Sequence, residues 1–151
     1  MKTFQITILL LGITAFGFAQ ANDKAAIRKR LEAEILNFHT NTDRKVYISY
    51  WHIKPESRWV SSSMDGSNIL LTSDEFKAGI RNNEFPPADN ARCSFSNFVV
   101  KASGSIGWAT FDIKMVTPDG KEDYLHTFRC LEKIGGVWRI ISGSEHQYKP
   151  K

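Results

Sequence analysis

Four apolar-alternating runs occupy residues 92–147, and three short turn signals join them: Ser103-Gly104, Asp119-Gly120 and Gly135-Gly136. Gly, Asn and Asp adopt the positive φ of two-residue hairpin turns at least cost. Gly-bearing pairs between such runs are therefore the strongest local hairpin signal. The pattern predicts a four-stranded antiparallel meander, one face of which must be covered by upstream helices. The expected fold class is α+β: a cone-shaped, curved antiparallel sheet of a hairpin plus a four-stranded meander, wrapped around three N-terminal helices with a pocket inside.

The chain of 151 residues opens with an export signature. Lys2 supplies the positive start, residues 6–18 are mostly apolar, and Ala19-Gln20-Ala21 has the small-x-small form of a cleavage site. The apolar run is shorter than the ~20 residues a membrane span needs. The reading is a signal peptide over 1–21 and a single domain over 22–151, periplasmic or secreted and free of the membrane once the leader is removed. The formal net charge is +4, and loss of Lys2 lowers it further. Basic residues are dispersed apart from Arg28-Lys29-Arg30, which suits a solvated helix flank, so no nucleic-acid partner is expected.

Asp23 is placed to cap a first helix with Ile27, Leu31, Ile35 and Phe38 at helical spacing. Asp43 is placed to cap a second, with Val46, Tyr47, Tyr50 and Trp51 on one face, ending before Pro55. Runs at 58–64 and 67–71 form a hairpin about Asp65-Gly66. Thr72-Ser73-Asp74-Glu75 reads as a capping box, with Leu71 and Phe76 as its hydrophobic staple. Phe76 and Ile80 form the buried edge of this third helix, which fades at Asn82-Asn83.

Two-residue turns throughout the meander assign its faces. One face carries Phe98, Val100, Ala109, Phe111, Ile113, Met115, Tyr124, His126, Phe128, Cys130, Val137, Ile141 and Gly143. The other carries Phe95, Asn97, Trp108, Thr110, Asp112, Thr127, Arg129, Leu131, Trp138, Ile140 and Ser142. The first is the more apolar and should be the covered one. The second keeps Trp108 and Trp138 in contact with water, which predicts a homodimer through that face. Cys93 and Cys130 fall on strands separated by a third, ~9–10 Å apart and beyond disulfide reach, so two free thiols are expected.

Tyr50-Trp51-His52, Met64-Asp65-Gly66, Thr72 to Phe76 and the closing run from Leu131 to Ile140 together resemble the nuclear transport factor 2-like superfamily. Within it, the resemblance is to the SnoaL-like and ketosteroid-isomerase-like group. It covers nearly all of 22–151 and implies a curved sheet around a conical cavity, often dimeric through the outer sheet face. Steroid isomerases of this group use an Asp base, with a Tyr and a protonated Asp as oxyanion hole. The matching positions are Ser63, Ile35 and Phe128. None of them supports that chemistry.

The predicted register sets His126 opposite Glu145 on the covered face, with Tyr124 two residues away. A carboxylate beside an imidazole suits general base work; the plainer reading is a cross-strand ion pair. His52 follows the second helix, where it either reaches the pocket mouth or meets the helix dipole. The four histidines show no short ligand spacing, so no metal is expected, and nothing calls for a cofactor. Tyr47, Trp51, Trp59, Ser63, Tyr124 and Phe128 are the expected ligand-binding positions. Two functions compete: an exported domain binding a small organic ligand in an aromatic pocket, and a cofactor-free lyase, isomerase or hydrolase using His126 and Glu145.

Overall fold

The computed structural model describes the backbone at 2–41, 43–82 and 84–150, and the side chains of the same residues except 2–20 and 80. The side chains of the expected leader up to Gln20 and of Ile80, and all of Met1 and Asn83, lie outside what is described. Among the described residues, three helices, α1 (Lys2–Thr40), α2 (Arg44–Ile48) and α3 (Ser73–Arg81), accompany six strands. These are β1 (Arg58–Ser62), β2 (Asn68–Thr72), β3 (Arg92–Ser103), β4 (Ile106–Val116), β5 (Glu122–Ile134) and β6 (Val137–Gln147). They form one curved, unclosed sheet in the order β2-β1-β6-β5-β4-β3. The meander is antiparallel as expected, but the hairpin joins it through a parallel β1–β6 pairing.

The capping signals of α2 and α3 and the stripe of α1 hold, but α2 is shorter than expected, with Val46 exposed and Tyr50 and Trp51 beyond its end. Asp43 caps α2 by accepting the Lys45 N–H at 2.9 Å. The capping box forms: Glu75 Oε2 accepts from the Thr72 N–H at 2.8 Å and from its hydroxyl at 2.7 Å. Ile27, Leu31 and Ile35 are buried on one stripe of α1, as their spacing requires. Asp23, however, lies within α1 and caps nothing. Its carboxylate accepts from Lys133 Nζ at 2.6 Å and from the Trp138 indole N–H at 3.1 Å, tying the helix to the β5–β6 hairpin. Arg44 fastens the far end of α1: it donates to Phe38 O at 2.6 Å and to Pro86 O, and its guanidinium covers the Phe38 ring.

The meander departs from the expected register in each of its three ladders. The first tight turn is Gly104-Ser105 rather than Ser103-Gly104, since Ser103 pairs with Ile106, and a bulge between Ser96 and Val99 turns Phe95 inward beside Phe98 and Phe111. Asn97 at that bulge takes a positive φ of 53°.

The second departure has the largest consequence. The β4–β5 connection holds three residues, not two, because Thr117 N–H bonds to Lys121 O and Val116 pairs with Glu122. Gly120, with φ of 87°, supplies the left-handed residue this longer loop needs. One extra residue exchanges the faces of the next strand. Thr127, Arg129 and Leu131 are therefore fully buried, whereas Tyr124, His126, Phe128 and Cys130 lie on the outer face. Trp138 and Ile140 follow them inward across the Gly135-Gly136 turn.

A second bulge, between Cys130 and Leu131 in the β5–β6 ladder, exchanges the faces of β6 once more. Gly143 and Glu145 thus return to the inner side. Glu145 stands opposite Thr127 and His126 opposite His146, so the expected His126–Glu145 pair does not exist. His126 Nδ1 instead meets Asp112 Oδ1 at 2.6 Å on the outer face. The joint exposure of Trp108 and Trp138 fails with it: Trp138 is buried and Trp108 stays outside. Cys93 and Cys130 are free thiols on different strands, and burial pushes the Cys93 thiol up to about 11.

Candidate functional site

A cavity of about 370 Å³ lies between the inner face of the sheet and the helices. Phe38, Tyr47, Trp59, Phe76 and Phe85 supply aromatic walls, and Ser61, Ser62, Ser63 and exposed Ile69 line the end toward the β1–β2 hairpin. The walls are mutually braced: Phe38 and Tyr47 rings lie 5.1 Å apart, Phe76 and Phe85 5.5 Å apart. Trp51 backs this wall against Phe76 at 4.9 Å but lines a separate, much smaller void.

The floor is ionic. Arg129, fully buried, donates from Nη2 to Glu145 Oε1 at 2.7 Å and lies 3.6 Å from Glu34 Oε2. Its Nη1 reaches the carbonyls of Phe128 and Ser144, both at 3.3 Å, and its guanidinium stacks 4.3 Å from the Trp59 ring centroid. Gly143 makes this possible, since a Cβ there would stand 2.8 Å from Arg129 Cδ. Glu34 is only 1% exposed, and its Oε2 has no hydrogen-bond partner.

The charges follow from this geometry. Burial raises the Glu34 pKa above the ordinary glutamate value, a push that nearby Arg129 only partly counters and Glu145 reinforces. The Tyr47 phenol is raised well beyond its usual range by burial and by the Glu34 charge. Burial opposes the charge on Arg129, but Glu34 and Glu145 together hold its pKa above the usual value. Arg129 is therefore a fixed cation paired chiefly with Glu145, and Glu34 is the carboxyl here that burial drives toward its neutral form.

A second polar pair stands at the wall. His39, nearly buried, lines the cavity and holds Asp89 Oδ1 through Nδ1 at 2.9 Å, which leaves Nε2 as its other polar atom. Burial alone would raise the Asp89 pKa, but the Ala91 amide and His39 bring it below the ordinary value.

Of the expected positions, Tyr47, Trp59, Ser63 and Glu145 line this cavity. Tyr124, His126 and Phe128 do not, because the longer β4–β5 loop turned them outward; Phe128 lies beside Trp108, ring centroids 6.5 Å apart. His52 is also elsewhere, 3.5 Å from Glu132 Oε2, which takes Lys54 Nζ at 2.6 Å. Among the described residues, no group of His, Cys, Asp and Glu is arranged to hold a metal.

The sequence reading passed over Glu34, His39 and Arg129. Glu34 had a usable signal, for it falls in the stripe Ile27, Leu31, Glu34, Phe38 at steps of four, three and four. An acidic residue within a buried stripe is rare unless paired or functional. Arg129 had none, since its face depended on the loop length.

No protein-family profile and no curated protein matches the sequence. Solved structures do. A protein of unknown function with a cystatin-like fold from Nostoc punctiforme superposes with a TM-score of 0.65 at 14% identity, over 85% of this chain and 92% of that one. An NTF2-like protein of unknown function from Pseudomonas putida gives 0.62 at 14% identity, over 86% and 88%. A further NTF2-like protein of unknown function, from Shewanella baltica, gives 0.57 at 16% identity, over 86% and 97%. At such identities likeness speaks to architecture, and the architecture is that of the cystatin-like, nuclear transport factor 2-like fold.

Proposed function

We propose that this protein is an exported domain that binds a small organic ligand in the cavity floored by Glu34, Arg129 and Glu145. The observation that carries this reading is the cavity itself: about 370 Å³, with aromatic walls and a few buried polar groups converging at one end. Ligand sites combine a mostly apolar enclosure with a small number of fixed polar groups in this way. Native mass spectrometry of protein recovered from its own host tests it. The expected result is a bound organic mass that denaturation releases, on a chain beginning near Gln20 or Asn22. A ligand-free chain retaining Met1 contradicts both binding and export.

A second reading is a cofactor-free lyase, isomerase or hydrolase. With His126 and Glu145 on opposite faces, its acid–base group would be Glu34. A carboxyl held above its ordinary pKa inside a cavity is suited to general acid–base work.

The homodimer is proposed through the outer sheet face, with Phe128 in place of Trp138 as the partner of Trp108. Val99, Ile106, Trp108, Phe128 and Val137 are all exposed apolar residues of the meander strands, and such a patch on a monomer favours self-association. Light scattering at roughly tens of micromolar should give the mass of a dimer for the unmodified protein and of a monomer for Trp108→Arg, which sets a desolvated charge in the contact. A monomeric unmodified protein rejects the dimer.

A further inference from the structure

The cavity-binding reading above leaves the chemical class of the ligand open, and the floor and walls together select one. We propose that the ligand is an organic cation: a protonated amine carried on a flat, apolar body, with its N–H donating to Glu34 Oε2, which accepts no hydrogen bond.

Three observations converge on this. Among the described residues, the carboxylates of Glu34 and Glu145 line the cavity against one lining guanidinium, that of Arg129; Asp123 also lines it but is matched by Lys121 Nζ at 3.4 Å. Any charge that His39 takes is matched by Asp89 at its Nδ1. The Arg129 terminal nitrogens are already engaged, with Glu145 and two backbone carbonyls, and its face lies on Trp59. A ligand carboxylate would thus meet the carboxylates of Glu34 and Glu145 and no terminal guanidinium nitrogen free to receive it. The Arg129 Nε–H, also unpaired, can be served by a water or an uncharged oxygen on the ligand.

The second observation is the orphaned acceptor. Glu34 is 1% exposed, lines the cavity, and accepts no hydrogen bond at Oε2, its ion pair with Arg129 Nη2 being 3.6 Å long. A buried carboxylate oxygen without a donor is costly, and a ligand N–H⁺ removes that cost by a charge-assisted hydrogen bond. The third is the wall. Phe38, Tyr47 and Phe85 line the space, and a desolvated cation is attracted to an aromatic face. Arg129 over Trp59 is an internal instance of the same attraction.

Binding of a cation also couples to protons. Glu34 is faced by Arg129 from β5, Glu145 from β6 and Tyr47 from α2. A bound ammonium adds a second cation and favours the ionised form of Glu34, so the amine binds more tightly as pH rises through the Glu34 titration. A neutral acceptor ligand would show the opposite trend, because it needs the protonated carboxyl.

The test is isothermal titration calorimetry with three probes sharing one aromatic body: naphthylmethylamine, naphthylmethanol and naphthylacetate. The amine should bind about tenfold or more tighter than the alcohol, the scale of a hydrogen bond to a charged group, with the acetate weakest. Between about pH 5 and about pH 8, spanning a raised carboxyl, amine affinity should rise while alcohol affinity stays level. Glu34→Gln should bring the amine down to the affinity of the alcohol. If Glu34→Gln does not fold, the ranking on the unmodified protein decides alone. Alcohol or acetate binding as tightly as the amine overturns cation selection while leaving the cavity reading intact. A pH-independent amine affinity removes Glu34 as the recognising group. No binding by any probe overturns this inference and the cavity-binding reading together.

Discussion

Arg129→Met is expected to lower stability by about 3–5 kcal/mol near neutral pH, the scale for removing one partner of a buried ion pair. In a domain of this size that corresponds to a fall in Tm of about 10–20 °C. The cause is specific: Met fills the space but leaves Glu34 and Glu145 facing each other without a cation. The pH dependence has a definite sign. Glu34 has a folded-state pKa above its unfolded value, so its contribution is fully present below the unfolded pKa. That contribution is lost as pH rises through the raised folded value. Without Arg129 the folded value rises further, and the deficit of the variant is greatest near neutrality. It should shrink on acidification toward the unfolded glutamate pKa of about 4.3. Urea denaturation at both pH values measures this. A deficit of equal size at both pH values would mean that lost packing against Trp59, rather than uncompensated charge, dominates. Changing Glu34 and Glu145 to Gln in the same chain should recover most of the loss.

Gly143→Ala should cost about 2–3 kcal/mol, the usual scale for forcing atoms into a packed interior. The added methyl would sit 2.8 Å from Arg129 Cδ, 2.9 Å from the Phe128 carbonyl oxygen and 3.2 Å from the Trp59 ring. The Phe128 carbonyl is part of the β5–β6 ladder and cannot yield, so Arg129 and Trp59 must move. Both belong to the cavity, and ligand affinity should fall along with stability. Gly107→Ala is the matched control. There the methyl meets Ile27 Cδ1 at 2.7 Å, a side-chain tip away from the cavity lining. It should destabilise and leave binding unchanged. Thermal denaturation beside calorimetry separates the two, and equal binding by Gly143→Ala and the unmodified protein would detach the floor from ligand recognition.

Gly135-Gly136 behaved as its local chemistry required, with φ of 57° and 82° at the two residues. Asp119-Gly120 carries the same kind of signal, yet Pro118 joins the loop and the Thr117 hydroxyl donates to Asp119 while its amide bonds to Lys121 O. Local residue identity names a turn; the loop length that sets register depends on which pairs close behind it. One residue of difference carried His126 out of the cavity and brought Arg129 in.

The elements of this protein are written in its local chemistry. The stripe of Ile27, Leu31 and Ile35, the Asp43 cap, the Thr72–Glu75 box and the glycine turns each act over a few residues, so helices, hairpins and the α+β class follow from sequence alone. The cavity floor could not follow in that way. It joins Glu34 on α1 to Arg129 on β5 and Glu145 on β6, three positions whose meeting depends on a three-residue loop and a bulge between Cys130 and Leu131. Bulges and loop registers are resolved by the packing of a whole sheet against its helices, where one slipped residue would bury His126 and expose Leu131. Only the tertiary structure makes that choice, because only there is the apolar area of all four strands weighed at once.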